Sequence, residues 1–289
     1  IQLATGIMQV TARTPAMTAM TALTLHDLTH GRFVLGLGAS GPQVVEGLHG
    51  TKYNPALTRL RETVDICRMI FRGEKVEYQG KIFQLPMPDS EGKAIRIAHK
   101  PADIPIYLAT LGPKALEYTG EVANGWMGTS FSPDHPEAHF DFLQRGAEKA
   151  NRSLNALNLC VSTRIEIGDD VEAMIEKRKP AVAFNMGGMG SGTTNFYNDA
   201  FKRAGYEEDA VAIQALWLAG KRDEAAKRVP DAMVTEFQAL GTREMITNRL
   251  SAYQDAGVTT LKLGLDGAGP LGPKRFALLE EIVDIVNTL

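Results

Sequence analysis

Cysteine is scarce. Cys67 and Cys160 are the two in 289 residues, too few for a disulfide framework. That excludes the small stapled scaffolds and makes a reduced, cytoplasmic setting the expectation. Excess positive charge is also missing: Lys and Arg total 31 against 34 Asp and Glu, a net charge of −3. No basic footprint for nucleic acid remains. Apolar runs long enough to cross a bilayer are lacking, as is a secretory leader pattern, so no membrane partner is expected. None of the six histidines stands at a metal-binding spacing to a cysteine or carboxylate, so no metal is expected. The composition, 44% hydrophobic and 22% charged, fits neither disorder nor collagen. What is left is a globular chain of a length that one α/β barrel fills.

Strand and helix signals alternate along it. "QLATGIMQV" reads as a short strand. Thr14, Pro15 and Gly31 then suit the N-cap, first position and C-terminal cap of a helix. "RFVLGLG" is the next strand. The helix that follows the next loop places Leu57, Leu60, Val64 and Cys67 on one face. "KVEYQGKIFQLP" suggests a hairpin turning at Gln79-Gly80. "IPIYLAT", "WMGTS", "NLCVSTRIEIG" and "TTLKLGL" are further strands. Helices stand between them, one opening at Pro113 and another at Asp169 or Asp170. The stretch 180–230 breaks the rhythm and reads as an insertion within a single domain spanning 1–289. The alternation predicts an α/β fold with a parallel sheet and helices outside. The opening "IQLATGIMQV" reads as a strand in mid-flow, so β/α units are expected upstream.

Gly36, Gly38 and Gly41 form a G-x-G-x-x-G at the end of "RFVLGLGASG". A dinucleotide-binding turn needs an immediate helix and an acidic residue ending the next strand, about 20 residues on. Here Pro42 follows directly, "VVEGLHG" is broken by glycines, and the acid at that distance, Glu62, lies inside a helical pattern. The dinucleotide reading fails on both conditions. Two readings stay open. The glycines make a tight turn, or they let backbone N–H groups approach an anion at the C-terminal end of a barrel strand.

Other residues invite function but have plainer readings. His26 and His30 read as an ordinary helix end, where the dipole favours His. Glu46 reads as a loop or cap residue, and the two thiols as core. The methionines of "AMTAM" read as packing. His49, close to the glycines, is a candidate acid or base by location. "NMGGMGSGTTNFYND" is either a solvent loop or a lid over a cofactor tail.

"HGRFVLGLGASGPQVVEG" resembles the luciferase-like flavin and deazaflavin oxidoreductases, a superfamily of TIM barrels. The resemblance continues through "RLRETVDICRMIFRGEKVEYQGKIFQLP", "IPIYLATLGPKALEYTGEVANGW" and "GVTTLKLG". The form "GASGPQVVEG", with "GGMG…NFYND" later, is most similar to the branch that uses coenzyme F420, which includes methylenetetrahydromethanopterin reductase. The resemblance implies a (β/α)8 barrel that begins here at its third strand, with the first strands absent from the chain as given. It implies hydride transfer between the deazaflavin and a small organic substrate, and a homodimer. The alternatives are an FMN-dependent monooxygenase on the same barrel and a flavin- or deazaflavin-binding protein without turnover.

The same resemblance carries over cofactor-binding positions. A non-prolyl cis peptide behind the ring is implied at Gly6-Ile7, with Met8 and Gln9 close by. The next strand's loop matches Gly38, Ala39, Ser40 and Gly41. The loop after "IPIYL" matches Ala109, Thr110, Leu111 and Gly112, where a helix N-terminus would face the anionic tail. Thr129 and Ser130 follow the strand after. Sugar-phosphate-using relatives carry a Glu just past the strand glycines, where this chain has Pro42 and Gln43. That departure argues against a sugar-phosphate dehydrogenase.

Overall fold

The apolar run "FVLGLG" becomes the strand around which the N-terminal half is organised. In a computed structural model, which describes residues 1–265 and 272–289, the chain forms two compact units. The first comprises 1–110 with 122–127, the second 111–121 with 128–289. In chain order, the first unit holds β1 (Leu3–Ala4), β2 (Met8–Gln9), α1 (Pro15–Leu28), β3 (Phe33–Gly38), α2 (Pro42–Val45) and α3 (Ala56–Phe71). The hairpin β4 (Tyr78–Gln79) and β5 (Gln84–Leu85), then β6 (Ile106–Ala109) and β7 (Gly125–Gly128), complete it, the last residue of β7 passing into the second unit. Every residue of β3 is buried, as expected of a parallel strand covered on both faces. β6 pairs with β3 in parallel from Leu35↔Ile106 to Gly38↔Ala109, and β7 pairs with β6.

The stretch expected as one strand, "QLATGIMQV", is two. Leu3 and Ala4 pair with Phe33 and Val34; Met8 and Gln9 pair with Leu37 and Gly38. Between them the Thr5 side chain takes over the ladder at Gly36: its hydroxyl donates to the Gly36 carbonyl and accepts from the Gly36 N–H, each at 2.9 Å. The Gly6-Ile7 peptide in this interruption is cis, as the resemblance implied.

Local signals set the helices. Thr14 Oγ1 caps α1 by accepting from Met17 N–H at 3.3 Å, with Pro15 first. Gly31, at φ +81°, closes it by donating to His26 O. Leu60, Val64 and Cys67 are buried along α3, with Leu57 partly so. Cys67 Sγ donates to Pro15 O, and burial pushes this thiol up to about 12, so it is an inert packing group.

The hairpin turn runs from Gly80 to Phe83 rather than pivoting at Gln79-Gly80. The cause is Glu62 on α3. Its buried carboxylate accepts N–H bonds from Lys81, Ile82 and Phe83 at 2.7–3.3 Å, which holds the longer turn open.

The second unit holds α4 (Pro113–Val122), whose last residue belongs to the first unit, then α5 (Glu137–Lys149) and β8 (Asn158–Ile167). Five helices follow: α6 (Val171–Gly187), α7 (Phe196–Phe201), α8 (Glu207–Leu218), α9 (Arg222–Lys227) and α10 (Asp231–Thr235). β9 (Ala239–Gly241), α11 (Arg243–Asp255), β10 (Thr260–Leu265) and α12 (Pro273–Val286) close the chain. β9 and β10 both pair with β8 in parallel. Ile165, Ala239, Ile246, Leu250, Ile282 and Ile285 form one core, under α11 and α12. α6 to α10 pack around a second, which includes Met186, Phe201, Ile213 and Met233.

Asp170 caps α6, accepting from Ala173 N–H, and the helix runs through Pro180. The glycine-rich segment that follows is pinned at its far end. Buried Asn195 donates to Asn185 O and Met186 O, and buried Asn198 to Met186 O and Ala210 O. Among the described residues, no helix is long and apolar enough to cross a membrane.

Candidate active site

Gln9, Gly38 and Ala109 stand in one row. The register pairs Gln9 with Gly38 and Gly38 with Ala109, so the C-terminal ends of β2, β3 and β6 are level. At the centre of the row there is no side chain. A Cβ on Gly38 would lie 3.0 Å from Ile7 Cδ1 and 3.4 Å from Ala109 O. Gly36 serves a different purpose: its Cβ would sit 2.0 Å from Thr5 O, so it admits the interrupted strand rather than a ligand. Both glycines of the motif thus admit close packing, Gly36 against the Thr5 backbone and Gly38 against the Ile7 side chain.

Past β3, Ser40 takes a left-handed backbone at φ +62° and Gly41 is extended. α2 has 4 residues, which ends the dinucleotide reading structurally. Beyond it the chain folds back on Val44 O, which accepts from Leu48 and His49 N–H. This return brings His49 to Gln9, with Nε2 and Oε1 2.6 Å apart. Gln9 Nε2 in turn donates to Ser40 Oγ at 3.4 Å. Glu46 holds the same return by accepting from Tyr53 N–H, the loop role expected of it. Gly6, Ile7, Met8, Gln9, Gly38, Ala39, Ser40, Gly41, His49, Ala109 and Thr110 therefore all belong to the first unit. The Thr110 carbonyl is fixed by buried Trp126, whose Nε1–H donates to it at 2.9 Å.

Leu111, Gly112, Thr129 and Ser130 belong to the second unit. Gly112 O accepts from Ala115 and Leu116 N–H and so starts α4. Pro113 comes first, Lys114 second, and no acidic residue lies in the first turn, which suits an anion at this end. The Phe196 ring lies 3.1 Å from where a Gly112 Cβ would be. Arg203 donates to Leu111 O and to Ala138 O, both at 2.9 Å. Burial lowers the pKa of this guanidinium, with Asp199 opposing. Thr129 and Ser130 follow β7, Ser130 at φ +50°. Among the described residues, no hydrogen bond ties either to Leu111 or Gly112. Sequence reasoning missed Arg203 and the seat of Phe196. The one local signal was "NFYND", where Asn195 caps α7.

Residues 1–260 match the luciferase-like monooxygenase family. The chain belongs to this family. A Mycobacterium tuberculosis protein named as a coenzyme F420-dependent oxidoreductase is 36% identical over 270 residues, 90% of this chain and 78% of its own length. The 5,10-methylenetetrahydromethanopterin reductase of Archaeoglobus fulgidus is 29% identical over 280 residues, 95% of this chain and 79% of its own. Among solved structures, the coenzyme F420-dependent tetrahydromethanopterin reductase of Methanopyrus kandleri superposes with a TM-score of 0.75 at 27% identity. It covers 98% of this chain and 81% of that one. The fold class of this luciferase-like chain is accordingly the α/β fold of the luciferase-like TIM barrels: the alternating pattern predicted the parallel sheet, and the resemblance implied the barrel.

Proposed function

We propose that this luciferase-like chain is an oxidoreductase that uses coenzyme F420 and moves a hydride between it and a small organic substrate. The observation that carries the reading is the level row Gln9, Gly38, Ala109 at the C-terminal ends of three neighbouring parallel strands. The likeness to the F420-dependent oxidoreductase over 90% of the chain, and to the F420-dependent reductase structure over 98%, supports it. The residues present fit such a group. Gly38 lets the Ile7 side chain pack over the end of β3, which gives the row an apolar edge for a flat ring to lie against. α4 offers Lys114 and an acid-free first turn to a polyanionic tail.

When bound, the deazaflavin would supply the hydride chemistry, and the protein supplies binding, orientation and proton handling. In the first unit Ile7, Met8 and Gln9 would border the ring, with Gly38, Ala39, Ser40, Gly41, Ala109 and Thr110 beside them. In the second unit Leu111, Gly112, Thr129 and Ser130 would be further cofactor-binding positions. Arg203 fixes the Leu111 carbonyl and so holds the turn that opens α4. The reading includes one luciferase-like domain with an insertion at 180–230, and a cytoplasmic homodimer, whose mass sedimentation would measure.

Titration of the purified chain with coenzyme F420 and with FMN, followed by fluorescence, tests the cofactor. Oxidation of reduced coenzyme F420 by a panel of aldehydes, ketones and enones tests turnover. Tight FMN binding without F420 binding replaces the reading with the monooxygenase. F420 binding with no turnover leaves a binding protein.

A further inference from the structure

The Ser40–Gln9–His49 chain has an arrangement that a packing role does not require. Gln9 ends β2 in register with Gly38, so its backbone is fixed by the sheet. His49 is fixed independently: its N–H donates to Val44 O, and its carbonyl accepts from Thr51 Oγ1. Between these anchors the Gln9 amide spans from Ser40 Oγ, at 3.4 Å, to His49 Nε2, at 2.6 Å. An amide has one acceptor end and one donor end. With its NH2 on the Ser40 hydroxyl, its oxygen faces the imidazole and can accept only from an Nε2–H. A neutral imidazole then carries its proton on Nε2 and its lone pair on Nδ1. Taking up a second proton at Nδ1 leaves the Nε2–H bond to Gln9 in place. The ring can therefore change charge without any partner turning over, which suits a group that transfers a proton.

We propose that Gln9 is a positioning residue that holds His49 as its Nε2–H tautomer, making Nδ1 the atom through which this site gives or takes a proton. The proposal rests on the oxidoreductase reading for its purpose. A hydride delivered to a carbonyl or enone carbon leaves an oxyanion or carbanion, and one proton completes the reduction; His49 Nδ1–H supplies it and returns to the neutral ring. In the oxidative direction the neutral Nδ1 takes that proton.

The tautomer is read without cofactor, by long-range 1H–15N NMR on the full chain labelled at histidine, with His49→Gln assigning the signal. The wild type should show an unprotonated Nδ1. Gln9→Leu should lose that bias and Gln9→Glu, which keeps an acceptor oxygen, should restore it. A wild-type Nδ1–H tautomer means that the amide is turned the other way and overturns the proposal, as does a Gln9→Leu spectrum identical to the wild type. The same carbonyl and enone panel, run with reduced coenzyme F420, reads the proton. His49→Gln should lower kcat about 100-fold, with KM and the cofactor Kd held within about twofold, and Gln9→Leu should lower kcat about tenfold. An unchanged kcat in His49→Gln overturns the catalytic part. Failure of the wild type to bind coenzyme F420 overturns the functional reading instead, and leaves the tautomer measurement to stand or fall alone.

Discussion

The Thr5 hydroxyl both donates to and accepts from the backbone of Gly36, at 2.9 Å each way. This exchange lets β1 stop and β2 restart while the Gly36 N–H and carbonyl stay paired. It also fixes which glycine of the motif the fold needs. A Cβ at Gly36 would meet a backbone oxygen at 2.0 Å, whereas one at Gly38 would meet the movable end of Ile7 at 3.0 Å. Gly36→Ala should therefore cost at least about 3 kcal/mol or prevent folding, and Gly38→Ala less than about 1.5 kcal/mol. Urea unfolding of both variants checks this, and equal stabilities would contradict it.

Glu62 should behave as a structural anion. Its carboxylate is buried and accepts from the N–H groups of Lys81, Ile82 and Phe83. Glu62→Ala leaves those donors without their acceptor and should cost about 2–4 kcal/mol. Limited proteolysis should then cut within the Gly80–Phe83 turn. A variant that unfolds at the wild-type urea midpoint, with no new cleavage, would show that the turn holds itself.

His139, 1% exposed, is pushed down to about 3, first by burial and then by the Arg203 cation. The folded protein keeps it neutral, while the unfolded chain protonates it below its ordinary 6.5. Its contribution is thus full above pH 6.5 and is lost as the pH falls toward 3. Replacement by Phe keeps a ring beside Phe131 and should flatten the decline by up to about 1.4 kcal/mol per pH unit in that window. Urea titrations across the window measure the slope, and identical slopes in the two proteins would rule the group out as its source.

Local pattern was enough for much of this. The caps at Thr14 and Asp170, the apolar face of α3 and the buried strand at Phe33–Gly38 are each dictated by residues within a turn or two. The strand interruption was hidden because its cause, Thr5 on Gly36, spans 31 residues. Glu62 looked like a misplaced dinucleotide acid because its partners come 19–21 residues later. Resemblance pointed to loops for the candidate site, and the side-chain contacts within it were not legible in the sequence. Gln9 and His49 lie 40 apart, and only the fold-back on Val44 brings them together. Arg203 was silent for the same reason, being 92 residues from the carbonyl it holds.

Whether coenzyme F420 lies against the end of β3 is read most directly by fluorescence titration of the wild type beside Gly38→Val. The wild type should bind coenzyme F420. Gly38→Val, still folded by circular dichroism, should bind it at least tenfold more weakly, about 1.4 kcal/mol. Gly73→Ala, at the φ +69° turn that closes α3, should keep the wild-type affinity. Equal affinities in the wild type and a folded Gly38→Val, or tight binding of FMN with none of coenzyme F420, would contradict that placement.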